Sequence, residues 1–232
     1  VELIENKSDI CGWSSTPRDL SEWEYVYVNN ANEVTEIDWG CAKLIGTIRL
    51  EFLPSSVTHL TLTGNKLEGE IPFESFPSVL LDCRLSRNLF SGKIDLSLLP
   101  THMGCLDLSQ NRLEGTLDLA HLPTSLVTLI LCQNTFEGSV NLTCLPVGME
   151  ILDISHNSLS GTVDVTKLPS RMVALILNSN SFHGETDFRM LPRTLKAFNI
   201  SSTNLSGEIP LQENLSRFQV YRSKVRIRIT AE

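Results

Sequence analysis

The sequence predicts a right-handed repeat solenoid, α/β in class but mostly β, with a concave parallel sheet and short strands or 3-10 turns on the convex side. Three columns of residues predict it. An apolar residue recurs every 23 positions without insertion, at Val34, Val57, Leu80, Met103, Leu126, Met149, Met172 and Leu195. The ninth position of each unit, counted from that residue, reads Ala42, Asn65, Asn88, Asn111, Asn134, Asn157, Asn180 and Thr203. The thirteenth is glycine throughout, at Gly46, Gly69, Gly92, Gly115, Gly138, Gly161, Gly184 and Gly207.

Residues 1–33 stand outside the repeat and gather Cys11, Trp13, Trp23, Tyr25 and Tyr27, as expected of a cap over the first unit's apolar edge. Eight units follow over residues 34–217. In each, period-two alternation such as Leu106-Asp107-Leu108 or Leu152-Asp153-Ile154 predicts a short strand with its leucines on one side. Beyond the glycine the alternation returns, in Ile94-Asp95-Leu96, Leu117-Asp118-Leu119 and Val163-Asp164-Val165, and predicts a second strand there. Prolines such as Pro100, Pro123 and Pro146 close the units and forbid a long helix. Each asparagine amide can pair with backbone groups that the turn would otherwise bury unpaired, and each glycine suits a positive φ or a close backbone approach. A lone unit buries too little apolar surface to offset its own ordering, so stacking must hold the array together. After Pro210 the pattern slips, and residues 218–232 read as an alternating closing strand that carries Arg222, Lys224, Arg226 and Arg228. The whole is one structural domain.

Composition narrows the function. The 232 residues are 41% hydrophobic and 20% charged, which is globular, and a net charge of −8 disfavours general nucleic-acid binding. No apolar run approaches the ~18 residues of a membrane helix, and no signal or transit segment is visible. The five histidines, His59, His102, His121, His156 and His183, have no metal or triad spacing. Neither a catalytic site nor a cofactor is expected. The sixteenth position forms a convex column of Asp95, Asp118, Asn141, Asp164 and Asp187, read as a solvated face without a metal.

Cysteine placement allows little cross-linking. Cys83 points inward, Cys144 is convex, and Cys105 and Cys132 sit roughly 13 Å apart along the strand direction, beyond the ~7 Å a bridge spans. A Cys11–Cys41 disulfide remains possible in the cap region. Several thiols favour a reducing compartment, whereas sequons at Asn6, Asn141, Asn199, Asn204 and Asn214 favour the secretory route.

Outward positions of the concave strands are not needed for the core and so are free to record a partner. The expected site comprises His59, Arg84, Arg87 and Asp107 in the charged half, then Thr128, Ile130, Cys132, Ile151, Asp153, Ile176 and Asn178. Ile130, Ile151 and Ile176 should form an exposed apolar patch. The expected function is non-enzymatic recognition of a protein or peptide ligand by a monomer. The alternative is a structural subunit of a larger assembly.

The unit Val57-Thr-His-Leu60-Thr-Leu62-Thr-Gly-Asn65-Lys-Leu67-Glu-Gly69-Glu-Ile71-Pro72, with Leu205-Ser-Gly207-Glu-Ile209-Pro210, resembles the leucine-rich repeat family in its plant-type subclass and protist relatives. Trp23-Glu-Tyr-Val26-Tyr-Val28 resembles that subclass's N-terminal cap. The resemblance covers roughly residues 24–217 and implies a horseshoe-shaped binding scaffold at the cell surface or outside the cell, with a cytoplasmic location as the alternative. It also admits an inhibitor of a secreted enzyme. Fold alone does not name the partner.

Overall fold

The protein is described by a computed structural model over residues 3–11, 19, 22–210 and 218–228. It is a mostly β solenoid of about nine turns built on two sheets. In the concave sheet, Val26–Val28 runs antiparallel to Val34–Asp38. Parallel strands then follow at His59–Thr61, Asp82–Arg84, Cys105–Asp107, Thr128–Ile130, Ile151–Asp153, Ala174–Ile176, Ala197–Asn199 and Phe218–Gln219. The central residue of each inner strand, from Leu60 to Phe198, is fully buried, which is the packing that period-two alternation demands.

The second sheet holds nine strands, among them Leu89–Lys93, Arg112–Thr116, Thr135–Gly138 and Ser158–Gly161. They run up to or through the glycine, several residues earlier than the alternation indicates. Leu117 and Leu119 are both buried, but Asp118 between them accepts a hydrogen bond from Ala120 N at 2.9 Å, and this bend prevents strand pairing. Asp95, Asn141, Asp164 and Asp187 accept the same bond from the backbone N two residues on. The acidic column therefore caps the convex turns, which in the early units form 3-10 helices such as Leu96–Leu98. Gly138 takes φ +80°, and a Cβ there would press on Thr116 Cγ2 of the preceding turn at 3.0 Å.

Each asparagine joins two turns. Asn134 Oδ1 accepts from Leu113 N at 3.0 Å, while Nδ2 donates to Leu108 O of the preceding turn at 3.0 Å and to Leu131 O at 3.2 Å. Asn65, Asn88, Asn111, Asn157 and Asn180 repeat this pattern. The residue before each of them is left-handed, with φ between 53° and 76° at Gly64, Arg87, Gln110, Gln133, His156 and by continuation Ser179. At the end of the array the rung shrinks: Thr203 Oγ1 donates only to Ile200 O, at 2.7 Å.

The C-terminal segment is divided, where the sequence indicated one closing strand. Phe218–Gln219 joins the concave sheet and Lys224–Arg228 joins the second. Left-handed Arg222 (φ 54°) precedes Ser223, whose Oγ donates to Val220 O at 2.6 Å in the manner of Thr203. This is a ninth turn. Phe198 pairs with Phe218, whereas Leu60 pairs with Cys83, so the last turn is three residues shorter than the others. Phe188, Phe198 and Phe218 close that end with edge-on ring contacts at 5.9 and 5.4 Å.

At the other end Ile4 and Ile10 are buried, Glu5 N donates to Ile45 O, and Trp39 stacks on Trp23 while donating from Nε1 to Glu24 O at 2.9 Å. The Cys11–Cys41 bridge is not formed. Cys11 Sγ donates to Lys7 O within its own helical turn, and Cys41 remains an exposed thiol at a left-handed position beside Gly64. One inward position is anomalous: Thr186 occupies the fifteenth position, which is Ile71, Leu117, Val140, Val163 and Ile209 elsewhere, and its buried Oγ1 has no hydrogen-bond partner among the described residues.

Candidate functional site

The strand register converts outward residues into two columns across the concave face. One runs Tyr27, Glu36, His59, Asp82, Cys105, Thr128, Ile151, Ala174 and Ala197. The other runs Asp38, Thr61, Arg84, Asp107, Ile130, Asp153, Ile176, Asn199 and Gln219. Neighbours within a column stand about 4.8 Å apart.

The two halves of this face differ. In the first, Arg84 forks onto Asp82 with contacts of 2.9 and 3.0 Å, so both charges are neutralised within one strand. His59 is exposed and its Nδ1 lies 2.9 Å from Thr58 Oγ1. Arg87 is exposed at the rim without an ion-pair partner among the described residues.

In the second half Thr128, Ile130, Ile151 and Ile176 are half-buried, not fully exposed, because strands one spacing apart shield their flanks. The apolar patch is also interrupted. Asp153 separates Ile130 from Ile176, and Ile151 belongs to the other column.

The carboxylates are held in place. Asp107 Oδ1 accepts from Ser109 N at 2.9 Å and Ser109 Oγ at 2.7 Å; Asp153 does the same with Ser155 at 3.0 and 2.6 Å. Asn199 repeats the motif with Ser201. The Asp-x-Ser spelling in Asp107-Leu108-Ser109 is a readable turn signal, and it accounts for the strand ending where it does. Asn178, expected to face outward, is instead 8% exposed: its Nδ2 meets His156 Nε2 at 3.2 Å and Ser179 Oγ at 3.3 Å. It shares the seventh position with buried Ser86, Ser109, Ser155 and Ser201, which lies under the left-handed bend and off the strand face.

Cys105 on its strand and Cys132, which shares the seventh position with Asn178 and so leaves the strand face, are poor nucleophiles. Burial first, and then Asp82, pushes Cys105 up to about 11; burial and Asp153 push Cys132 up to about 12. Cys83, wholly buried beneath them, is raised further for the same first reason. Among the described residues no group of three His, Cys, Asp or Glu side chains is placed to hold a metal ion. The chemistry of the site is hydrogen bonding, charge and aliphatic contact.

Asparagine-laddered turns and a solvent-facing parallel sheet place this chain in a defined class: it is a leucine-rich repeat solenoid with plant-type repeats. No protein-family model and no curated protein matches the sequence. Solved structures do. The chain is similar to a TDR receptor, with 26% identity and a TM-score of 0.63 over 83% of this chain and 35% of that one. It is similar to the plant peptide hormone receptor RGFR1 in complex with RGF2, with 26% identity and a TM-score of 0.62 over 77% and 34%. It is also similar to YopM from Yersinia enterocolitica WA-314, with 27% identity and a TM-score of 0.60 over 76% and 36%. The chain thus spans about a third of the length of these structures.

Sequons differ in accessibility. Asn141 and Asn204 are exposed, Asn6 uses its amide on Lys43 O and Ile45 N, and Asn199 Nδ2 donates to Gln219 Oε1 at 2.9 Å. Asn214 lies outside the described residues. No helix among the described residues is long and apolar enough to cross a membrane.

Proposed function

We propose that the chain is a monomeric, non-enzymatic binding module whose concave sheet receives a protein or peptide ligand. The observation that carries this is the second half of that sheet, where Ile130, Ile151 and Ile176 are half-buried between fixed polar groups on rigid strands with nothing among the described residues packed over them. A scaffold that holds side chains in columns loses little entropy on association, so affinity rests on a few anchors. The likeness to a receptor for a peptide hormone supports the same reading.

Location outside the cell or at its surface is supported by the likeness to receptors. The unbridged thiols at Cys41, Cys105, Cys132 and Cys144 are the feature that sets a cytoplasmic site against it. A second reading, a structural subunit of a larger assembly, draws on the same half-buried isoleucines, which a neighbouring subunit would cover permanently. Sedimentation of the purified chain separates the two, because a subunit missing its neighbours should self-associate while a receptor module stays monomeric.

The direct test is capture of partners from source-cell extract and medium on immobilised protein, comparing wild type with the Ile130→Asp/Ile176→Asp variant by mass spectrometry. Loss of partners with the variant supports the concave site. Equal capture by both overturns it, and the fraction in which partners are found reports the compartment.

A further inference from the structure

We propose that the ligand segment held by turns four to seven is a cationic peptide in extended form, with lysine or arginine residues at alternate positions. Asp107 and Asp153 take the basic groups, and Ile130 packs between them. This rests on the concave-face reading above and adds the chemical class of the partner.

Charge is the first reason. The outward positions of turns four to seven contain no lysine or arginine, and neither Asp107 nor Asp153 has an ion-pair partner among the described residues. Asp82, one turn before, shows the contrast, since Arg84 already neutralises it. Arg84 stands beside Asp107 in the same column but is already forked onto Asp82, so the column keeps an excess of carboxylate that repels anionic segments and attracts cationic ones.

Preorganisation is the second. The serine two residues on fixes each carboxylate through its N–H and hydroxyl before any ligand arrives, so binding does not have to order a floppy acid. Spacing is the third. Asp107, Ile130 and Asp153 are consecutive members of one column, which puts the carboxylates about 9.6 Å apart at two strand spacings. An extended peptide lying across the strands advances about 3.3 Å per residue and turns alternate side chains to the sheet, so basic residues at i and i+2 stand about 6.6 Å apart on that side and reach both carboxylates through their flexible arms. Ile130 then lies under the aliphatic stems, with Ile151 and Ile176 beside it.

The experiment uses a fluorescein-labelled hexapeptide of alternating lysine and leucine, with a counterpart in which glutamate replaces lysine. Anisotropy titrations compare wild type, Asp107→Asn/Asp153→Asn and Ile130→Arg, with thermal melting to confirm folding. Asparagine preserves the turn, as Asn199 does natively with Ser201. The expected result is binding of the lysine-leucine peptide by wild type, at least about tenfold weaker with the asparagine pair and absent with glutamate. Binding unchanged by the asparagine pair but lost with Ile130→Arg overturns the cationic class while keeping the concave face. Binding unchanged by either variant overturns the concave face as well. Absence of binding to wild type overturns the cationic class and leaves the capture experiment to judge the face.

Discussion

The six asparagine turns and the turns that follow them take the same path but are closed differently. Asn134 makes bonds to both its own turn and the one before, whereas Thr203 and Ser223 each donate to a carbonyl three residues back in their own turn. Aromatic rings at Phe188, Phe198 and Phe218 occupy the end where the polar ladder fades. The difference teaches that the ladder is a device for stacking a turn onto a predecessor, and that a terminal turn needs apolar closure more than another rung.

Four measurements break or sharpen that comparison. Asn134→Ala should cost about 2–3 kcal/mol in denaturant unfolding, since it leaves backbone groups of two turns unpaired in the core; an unchanged midpoint refutes the bridging role. Thr203→Ala should cost only about 1 kcal/mol, one bond's worth. A loss as large as that of Asn134→Ala would show that the end is held by its ladder after all. Thr186→Val should raise stability by up to about 1 kcal/mol, because it removes a buried hydroxyl without a partner at a position that is aliphatic elsewhere.

The smallest effect is expected from pH. The Ser97 side chain holds Asp95 below the usual carboxylate range, His121 does so for Asp118, Thr166 for Asp164, and Arg189 brings Asp187 to about 2. Folded values below the unfolded ~3.9 mean that these groups stabilise the fold above that pH, and that their contribution disappears as pH falls from about 4 toward 2. Melting temperature should be flat between about pH 7 and 5 and fall below about 4. Asp187→Asn should shift the curve more than Asp164→Asn, since Asp187 also pairs with Arg189 while Asp164 only caps the turn, as Asn141 already does.

The repeat length, the inward residues and the asparagine positions could be read from the sequence because each is imposed by the same turn many times over. What escaped it was whatever depends on a single departure. Alternation in Leu117-Asp118-Leu119 reports inward packing around a bend as readily as a strand, and only the Asp118 to Ala120 bond decides between them. The ninth turn was hidden by the loss of three residues and by Ser223 standing where asparagine would. On the concave face the outward columns were legible, yet Asn178 turned inward because the seventh position belongs to the bend and not to the strand. The separation of Ile130 from Ile176 by Asp153 was in the register all along.

The asparagine rung connects only consecutive turns, through groups that every interior turn offers at the same places. Removing or duplicating one whole 23-residue cassette between Asn88 and Asn157 would therefore replace each rung with an equivalent one and leave both ends untouched. The scaffold behaves as a ruler with a fixed graduation of about 4.8 Å. Such a scaffold can be lengthened or shortened by one cassette at a time, with no redesign of the core or the caps.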